Sequence, residues 1–192
     1  MSTTPAPTSP SALRVGLMVD SYLLPAWVHR LIERIIESPH AHIALVVVNS
    51  VQDPAGRPSL RSRISTYWEA RHYLLYALFQ RLDQRRSVDG PDAFQQRDAE
   101  GLLAGVPALK VEPNRTKFSD YFTPQDLDSI RGHDLDVLVR LGFRILRGDI
   151  LNAAKCGIWS FHHGDNRVNR GGPAGFWEVM LGWHCTGAVL QV

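Results

Sequence analysis

The densest set of chemically useful side chains lies in His162-His163-Gly164-Asp165-Asn166-Arg167-Val168-Asn169-Arg170-Gly171-Gly172-Pro173. Imidazole exchanges protons near neutral pH and suits general acid or base work. Amide and guanidinium donors suit a developing oxyanion. The glycines let backbone approach a ligand closely. Arg167 and Arg170 fit bidentate contact with a phosphate or carboxylate, or are ordinary surface arginines. A metal site built from His162, His163 and Asp165 is a competing reading. Adjacent residues of a strand point to opposite faces, which works against chelation, so no metal is expected. A third reading is a polar loop whose histidines only hydrogen-bond the backbone. The histidine pair's place after a buried strand and before Arg-Gly-Gly-Pro and a helix favours chemistry.

The elements around it must hold it in place. Leu13 to Asp20 is an apolar run ending in a carboxylate, expected to be a buried parallel strand. Ser21 to Leu24 reads as a turn, and Pro25 suits the first turn of a helix. Ala26 to Glu37 carries Trp27, Leu31, Ile32, Ile35 and Ile36 at helical spacing, and Ser38-Pro39 stops it. Ile43 to Val48 is a second β-branched run, which completes a βαβ unit. The turn after the first strand lacks GxGxxG, so a dinucleotide site there is not expected.

Further strands are expected at Ala108–Glu112, Leu135–Leu141, Gly157–Phe161 and Thr186–Val192. Helices are expected at Leu60–Arg86, from Thr123-Pro124 to near Gly132, at Arg144–Ala154 and at Gly172–Leu181. Ser87–Gly105 reads as loop with a short helix. Arg140, a charge in a buried strand, should sit at the strand's carboxyl mouth with an acidic partner. The expected fold is α/β: a Rossmann-like three-layer sandwich, mostly parallel sheet with helices on both faces. The aromatic stripe of Leu60–Arg86 should pack on the domain or on a second copy in a homodimer. Trp177 is expected in the core, and Cys156 and Cys185 as small buried apolar groups.

Bulk properties narrow the classes. A chain of 192 residues with 44% apolar and 21% charged residues can fold as one core without staples. A net charge of +2 does not call for nucleic acid as a partner. Two cysteines in no metal-binding spacing point to a reducing compartment, and no apolar run spans a membrane. The first twelve residues, rich in Ser, Thr and Pro, read as a flexible tail before a domain over 13–192. A cytoplasmic protein is expected.

Two stretches resemble the formyltransferase family. One is Asp136-Val137-Leu138-Val139-Arg140-Leu141-Gly142-Phe143-Arg144-Ile145-Leu146, similar to that family's Asp-Val strand and folate-holding loop. The other runs through Ser160-Phe161-His162, Arg170-Gly171-Gly172-Pro173, Phe176-Trp177, Gly182 and Thr186-Gly187. The family includes methionyl-tRNA, phosphoribosylglycinamide and sugar-nucleotide formyltransferases, and formyltetrahydrofolate hydrolases. The resemblance implies that 10-formyltetrahydrofolate gives its formyl group to an amine of a small molecule, such as an amino sugar. It implies that His162 stabilises the oxyanion and helps move a proton. Leu141, Gly142, Phe143, Arg144 and Ile145 would hold the folate. His163, Asn166, Arg167, Arg170 and Gly171 would face the acceptor.

This chain departs from the family at three points. Ser160 stands where the family has Asn. Gly164-Asp165-Asn166-Arg167 replaces its Ser-Leu-Leu-Pro loop. Its catalytic Asp would follow Val192, so either the domain is truncated or it lacks that group, with Asp165 as the residue that could substitute. A hydrolase of formyl-folate, and a folate-binding domain without catalysis, are the alternative functions.

Overall fold

The computed structural model describes residues 12–51, 74–75, 78–79, 81–82, 91–168 and 175–192. The apolar run at the start forms β1 (Leu13–Val19), followed by a short β2 (Leu23–Pro25) and α1 (Ala26–Glu37). Next come β3 (Ala41–Asn49), β4 (Gln96–Asp98) and β5 (Ala108–Val111). Then follow β6 (Asn114–Arg115), β7 (Ser119–Tyr121), α2 (Pro124–Arg131) and β8 (Val137–Arg140). The chain closes with β9 (Ile145–Arg147), a 3-10 turn (Asp149–Asn152), β10 (Ile158–His163), α3 (Phe176–Met180) and β11 (Ala188–Gln191).

The main sheet has the order β11-β10-β8-β1-β3-β5. Every pairing in it is parallel except the antiparallel edge strand β11 on β10. Alternation along the strands divides the core in two. Val15, Leu17, Val19, Val46 and Val48 turn to the face covered by α1, where Val28 and Ile32 are buried. Met18, Leu45, Val47 and Leu138 turn to the face covered by α2, with Leu127 and Ile130. Burying each such side chain contributes roughly 1.5–3 kcal/mol before the entropy of ordering is subtracted. The expected α/β fold, a mostly parallel sheet with a helix on each face, is therefore present.

α2 starts as its sequence requires. Thr123 Oγ1 accepts from the Asp126 N–H at 3.2 Å, and Asp126 Oδ2 accepts from the Thr123 N–H at 3.3 Å. This is a reciprocal capping box, with Pro124 following in the first turn.

Several expectations are corrected. Arg144–Ala154 is not a helix. Ile145–Arg147 pairs in parallel with Ser119–Tyr121, and Gly148 at φ 80° then breaks the path before the 3-10 turn. Within Ser87–Gly105, residues 96–98 form a strand that pairs with β2, where a turn was expected. Strand β10 extends beyond Phe161 through both histidines. Cys156 and Cys185 are free and exposed, and Trp177 is 38% exposed with its ring edge-on to Phe176. Of the Leu60–Arg86 stretch, Leu74, Leu75, Leu78, Phe79, Arg81 and Leu82 are described; all are helical and exposed. Among the described residues no helix is long and apolar enough to cross a membrane.

Candidate functional site

Parallel strands end together, so β1, β3, β8 and β10 deliver their last residues to one rim of the sheet. β1 delivers Asp20, and β3 delivers Asn49. Asp20 Oδ1 accepts from Asn49 Nδ2 at 2.8 Å and from the Phe143 N–H at 3.0 Å. This carboxylate ties the loop after β8 to the mouth of β1.

The loop lies very close to its neighbours. A Cβ on Gly142 would fall 2.6 Å from the Asp20 backbone N and 2.8 Å from its Cγ. Gly142→Ala is expected to push the loop off the rim and cost about 1–3 kcal/mol by overpacking. A thermal melt reads this directly, and an unchanged midpoint would contradict the close approach. The next residue, Phe143, holds φ 66°, a left-handed conformation that costs a side-chain-bearing residue about 1–2 kcal/mol. Its N–H bond to Asp20 and its ring contact with Phe122, centroids 5.5 Å apart, keep it there.

Every backbone N–H of residues 141–145 is used inside the fold. Leu141 and Gly142 both donate to the Met18 carbonyl, Phe143 to Asp20, Arg144 to Asp120 Oδ2 and Ile145 to the Phe118 carbonyl. The backbone groups this loop can offer a ligand are thus carbonyl oxygens. Asp120 is fully buried in β7, 2.8 Å from the Arg144 N, with Arg115 Nε 3.8 Å from its other oxygen. The small sheet β6-β7-β9 exists at the right place to carry that carboxylate under the loop.

Arg140 does stand at the carboxyl mouth of β8, but its partners are not acidic. Its Nε donates to Ser160 Oγ at 3.0 Å and its Nη1 to the Arg144 carbonyl at 2.8 Å. Arg140 and Ser160 are register partners on adjacent strands, so their side chains share a face. An arginine has only hydrogens to give, so Ser160 must accept there, and its own O–H remains to donate elsewhere. His162, two residues on, shares that face. Its Nε2 is buried and has no hydrogen-bond partner among the described residues. A buried polar atom left so is costly, and such atoms concentrate where a ligand completes them.

Three adjoining clefts lie along the rim among the described residues. One, of about 290 Å³, is lined by Asp20, Trp27, Arg140, Leu141, Gly142, Phe143, Ser160, Phe161 and His163. A second, of about 380 Å³, is polar and lined by Asp20, Asn49, Val51, Arg115, Phe143 and Arg144. A third, of about 310 Å³, is apolar and includes Trp27, Phe161, His162 and His163. The structure thus gathers Leu141, Gly142, Phe143, Ser160, His162 and His163 about shared walls, with Arg144 next door. Ile145 lies in β9, 53% exposed, and lines none of the three.

Asp165 is drawn elsewhere. It lines a separate cavity of about 460 Å³ with Glu178 and residues 182–187. Arg167 donates to it from Nη2 at 2.7 Å, Nε at 3.0 Å and its backbone N at 2.9 Å. Those side-chain bonds first, and the backbone bond second, hold the Asp165 carboxyl down at about 2. The pair's contribution is fully present above the ordinary carboxylate pKa and is lost as pH falls through about 2. At neutral pH Asp165 is therefore a fixed anion with no proton to give. Arg167→Ala is expected to return the carboxyl toward its usual range. A carbon-detected NMR titration of Asp165 would read the shift, and a titration identical to the wild type would refute the pairing. Asn166 is described beside this pair, whereas Arg170 and Gly171 lie outside the described residues. Among the described residues no group of three His, Cys, Asp or Glu side chains could hold a metal.

Sequence reading missed Asn49, Arg115 and Asp120 as parts of the site. Asp20 carried a signal, a carboxylate closing a buried strand, that pointed to the rim.

No family model and no curated protein matches the chain. Among solved structures it is similar to glycinamide ribonucleotide transformylase 1 from Symbiobacterium toebii. The TM-score is 0.54 at 16% identity, over 99% of this chain and 70% of that one. A likeness at that identity is one of backbone: this chain shares the fold of that transformylase.

Proposed function

We propose that the chain transfers a formyl group from 10-formyltetrahydrofolate to the amine of a small molecule. The observation that carries this reading is the Arg140–Ser160 hydrogen bond on the same strand face as His162, whose Nε2 lacks a partner among the described residues. The carrier supplies, when bound, a formyl group activated for attack by an amine. The residues present fit such a carrier. The loop over 141–143 offers carbonyl acceptors, which complement a ring bearing amino and N–H donors, and Arg144 and Arg115 line the polar cleft beside it.

The chain's own part is positioning and charge. The Ser160 hydroxyl, polarised by the guanidinium at 3.0 Å, donates toward the formyl oxygen as negative charge builds there. His162 Nε2 supplies a second hydrogen bond or takes up the proton that the attacking nitrogen sheds. Ser160 with Arg140 behind it thus performs the task of an amide side chain, as a shorter donor strengthened by a neighbouring charge. Asp165, ionised and clasped by Arg167, holds the 164–167 turn rather than moving protons.

The test is product analysis with 10-formyltetrahydrofolate, with and without a mixture of amines. Formyl-amine that appears only with acceptor supports the transferase. Formate released steadily without any amine would replace it with a hydrolase. Folate binding with neither product would leave a domain without catalysis.

A further inference from the structure

We propose that the acceptor amine carries a flat apolar group rather than a phosphate, seated in the apolar cleft beside His162. This rests on the formyltransferase reading and names its substrate class. The cleft, about 310 Å³, is walled by Trp27 and Leu31 of α1, Phe161 of β10 and Phe94 of the segment before β4. Atoms of His162 and His163 complete its lining. Small-molecule sites are walled mostly by apolar and aromatic side chains, as this cleft is, and its volume lies at the lower end of their range. It shares Trp27, Phe161 and His163 with the cleft that holds Ser160 and the 141–143 loop. A ligand whose ring lies in the first can place its nitrogen at the second.

Phe94 is the informative wall. Its side chain is 69% exposed, yet its backbone is fixed: its N–H donates to Asp92 Oδ1 at 2.8 Å. The flanking carbonyls of Ala93 and Gln95 accept from the Trp27 and Ala26 N–H groups at 3.1 and 2.8 Å. An aromatic ring held in water beside Phe161, which is itself 44% exposed and meets Trp27 edge-on at 6.1 Å, gains when another ring covers it. The same two bonds bear on charge. The first N–H groups of a helix are a natural phosphate site, and α1 has no side-chain cap. Here two of those donors are consumed by the chain's own carbonyls, so the start of α1 is closed to a phosphate.

The experiment is calorimetric titration of the full chain, without folate, with 2-phenylethylamine and with glucosamine 6-phosphate. The wild type should bind the aromatic amine at least tenfold more tightly. Ala188→Trp should weaken that binding at least tenfold. Ala188 lines the cleft, faces His163 across the pair and lies on the edge strand β11, where an aromatic residue is well tolerated. Phe94→Ala, an exposed position, is the second variant and should weaken binding in the same direction. Equal or tighter binding of the sugar phosphate, or aromatic binding unchanged in both variants, overturns the proposal. Aromatic binding lost in the variants supports the cleft's preference whether or not transfer is seen; missing transfer then removes only the formyl chemistry. Transfer confined to sugar phosphates removes the preference and keeps the formyltransferase.

Discussion

Alanine in place of His162 is expected to lower kcat for formyl transfer by about 10²–10³-fold, the scale seen when one oxyanion donor is removed. The unfolding midpoint should barely move. Most buried polar side chains cannot be removed so cheaply, because their partners are left stranded. His162 Nε2 strands none among the described residues, being itself the atom without a partner. Its removal relieves a desolvation cost of about 1–3 kcal/mol, which offsets the packing that a half-buried ring gives up. Loss of activity without loss of stability would mark His162 as kept for chemistry. A variant as active as the wild type would sink the mechanism. A variant that melts far earlier would mean that the imidazole is a structural group. Single-turnover measurement with saturating carrier separates the chemical step from binding.

The fold was legible where burial is local in sequence. Leu13–Val19 and Ala41–Asn49 are continuous apolar runs because both faces of a central parallel strand are covered, and α1 between them shows its stripe. The candidate site was legible as composition, since Ser160 and His162 fall at the end of such a strand. Its supports were not. Arg140 meets a hydroxyl and a carbonyl, and no property of the residue itself distinguishes those from an acidic partner. The Arg144–Ala154 stretch spaces Leu146, Ile150 and Ala153 at i, i+4 and i+7, which imitates a helix. Its first residues become a strand because β7, earlier in the chain, offers a pairing edge. The reading of Asp165 as a substitute carboxylate did not weigh Arg167 two residues away, which binds it through three donors.

The least legible residue, Asp120, is expected to be among the most consequential. Asp120→Ala should cost about 3–5 kcal/mol, the range for breaking a buried charged contact by removing one partner. The carboxylate has no exposure, accepts the Arg144 N–H at 2.8 Å and lies 3.8 Å from Arg115 Nε. Without it the Arg144 N–H loses its acceptor inside the fold, and Arg115 loses the counter-charge beside its Nε. Both residues line the polar cleft of about 380 Å³, so the damage should reach function through binding. KM for the formyl carrier should rise well before kcat falls, because Ser160 and His162 sit on a different strand. Asp120→Asn separates the two contributions. Its amide oxygen can still accept from Arg144, which should restore the loop and most of KM, while the missing charge leaves Arg115 less compensated and the melting midpoint partly depressed. If Asn behaves as Ala does, the charge holds the loop; if Asn behaves as wild type, the hydrogen bond alone does. If neither substitution changes KM, the loop over 141–145 is not what binds the carrier, and the proposed folate site must be placed elsewhere on the rim.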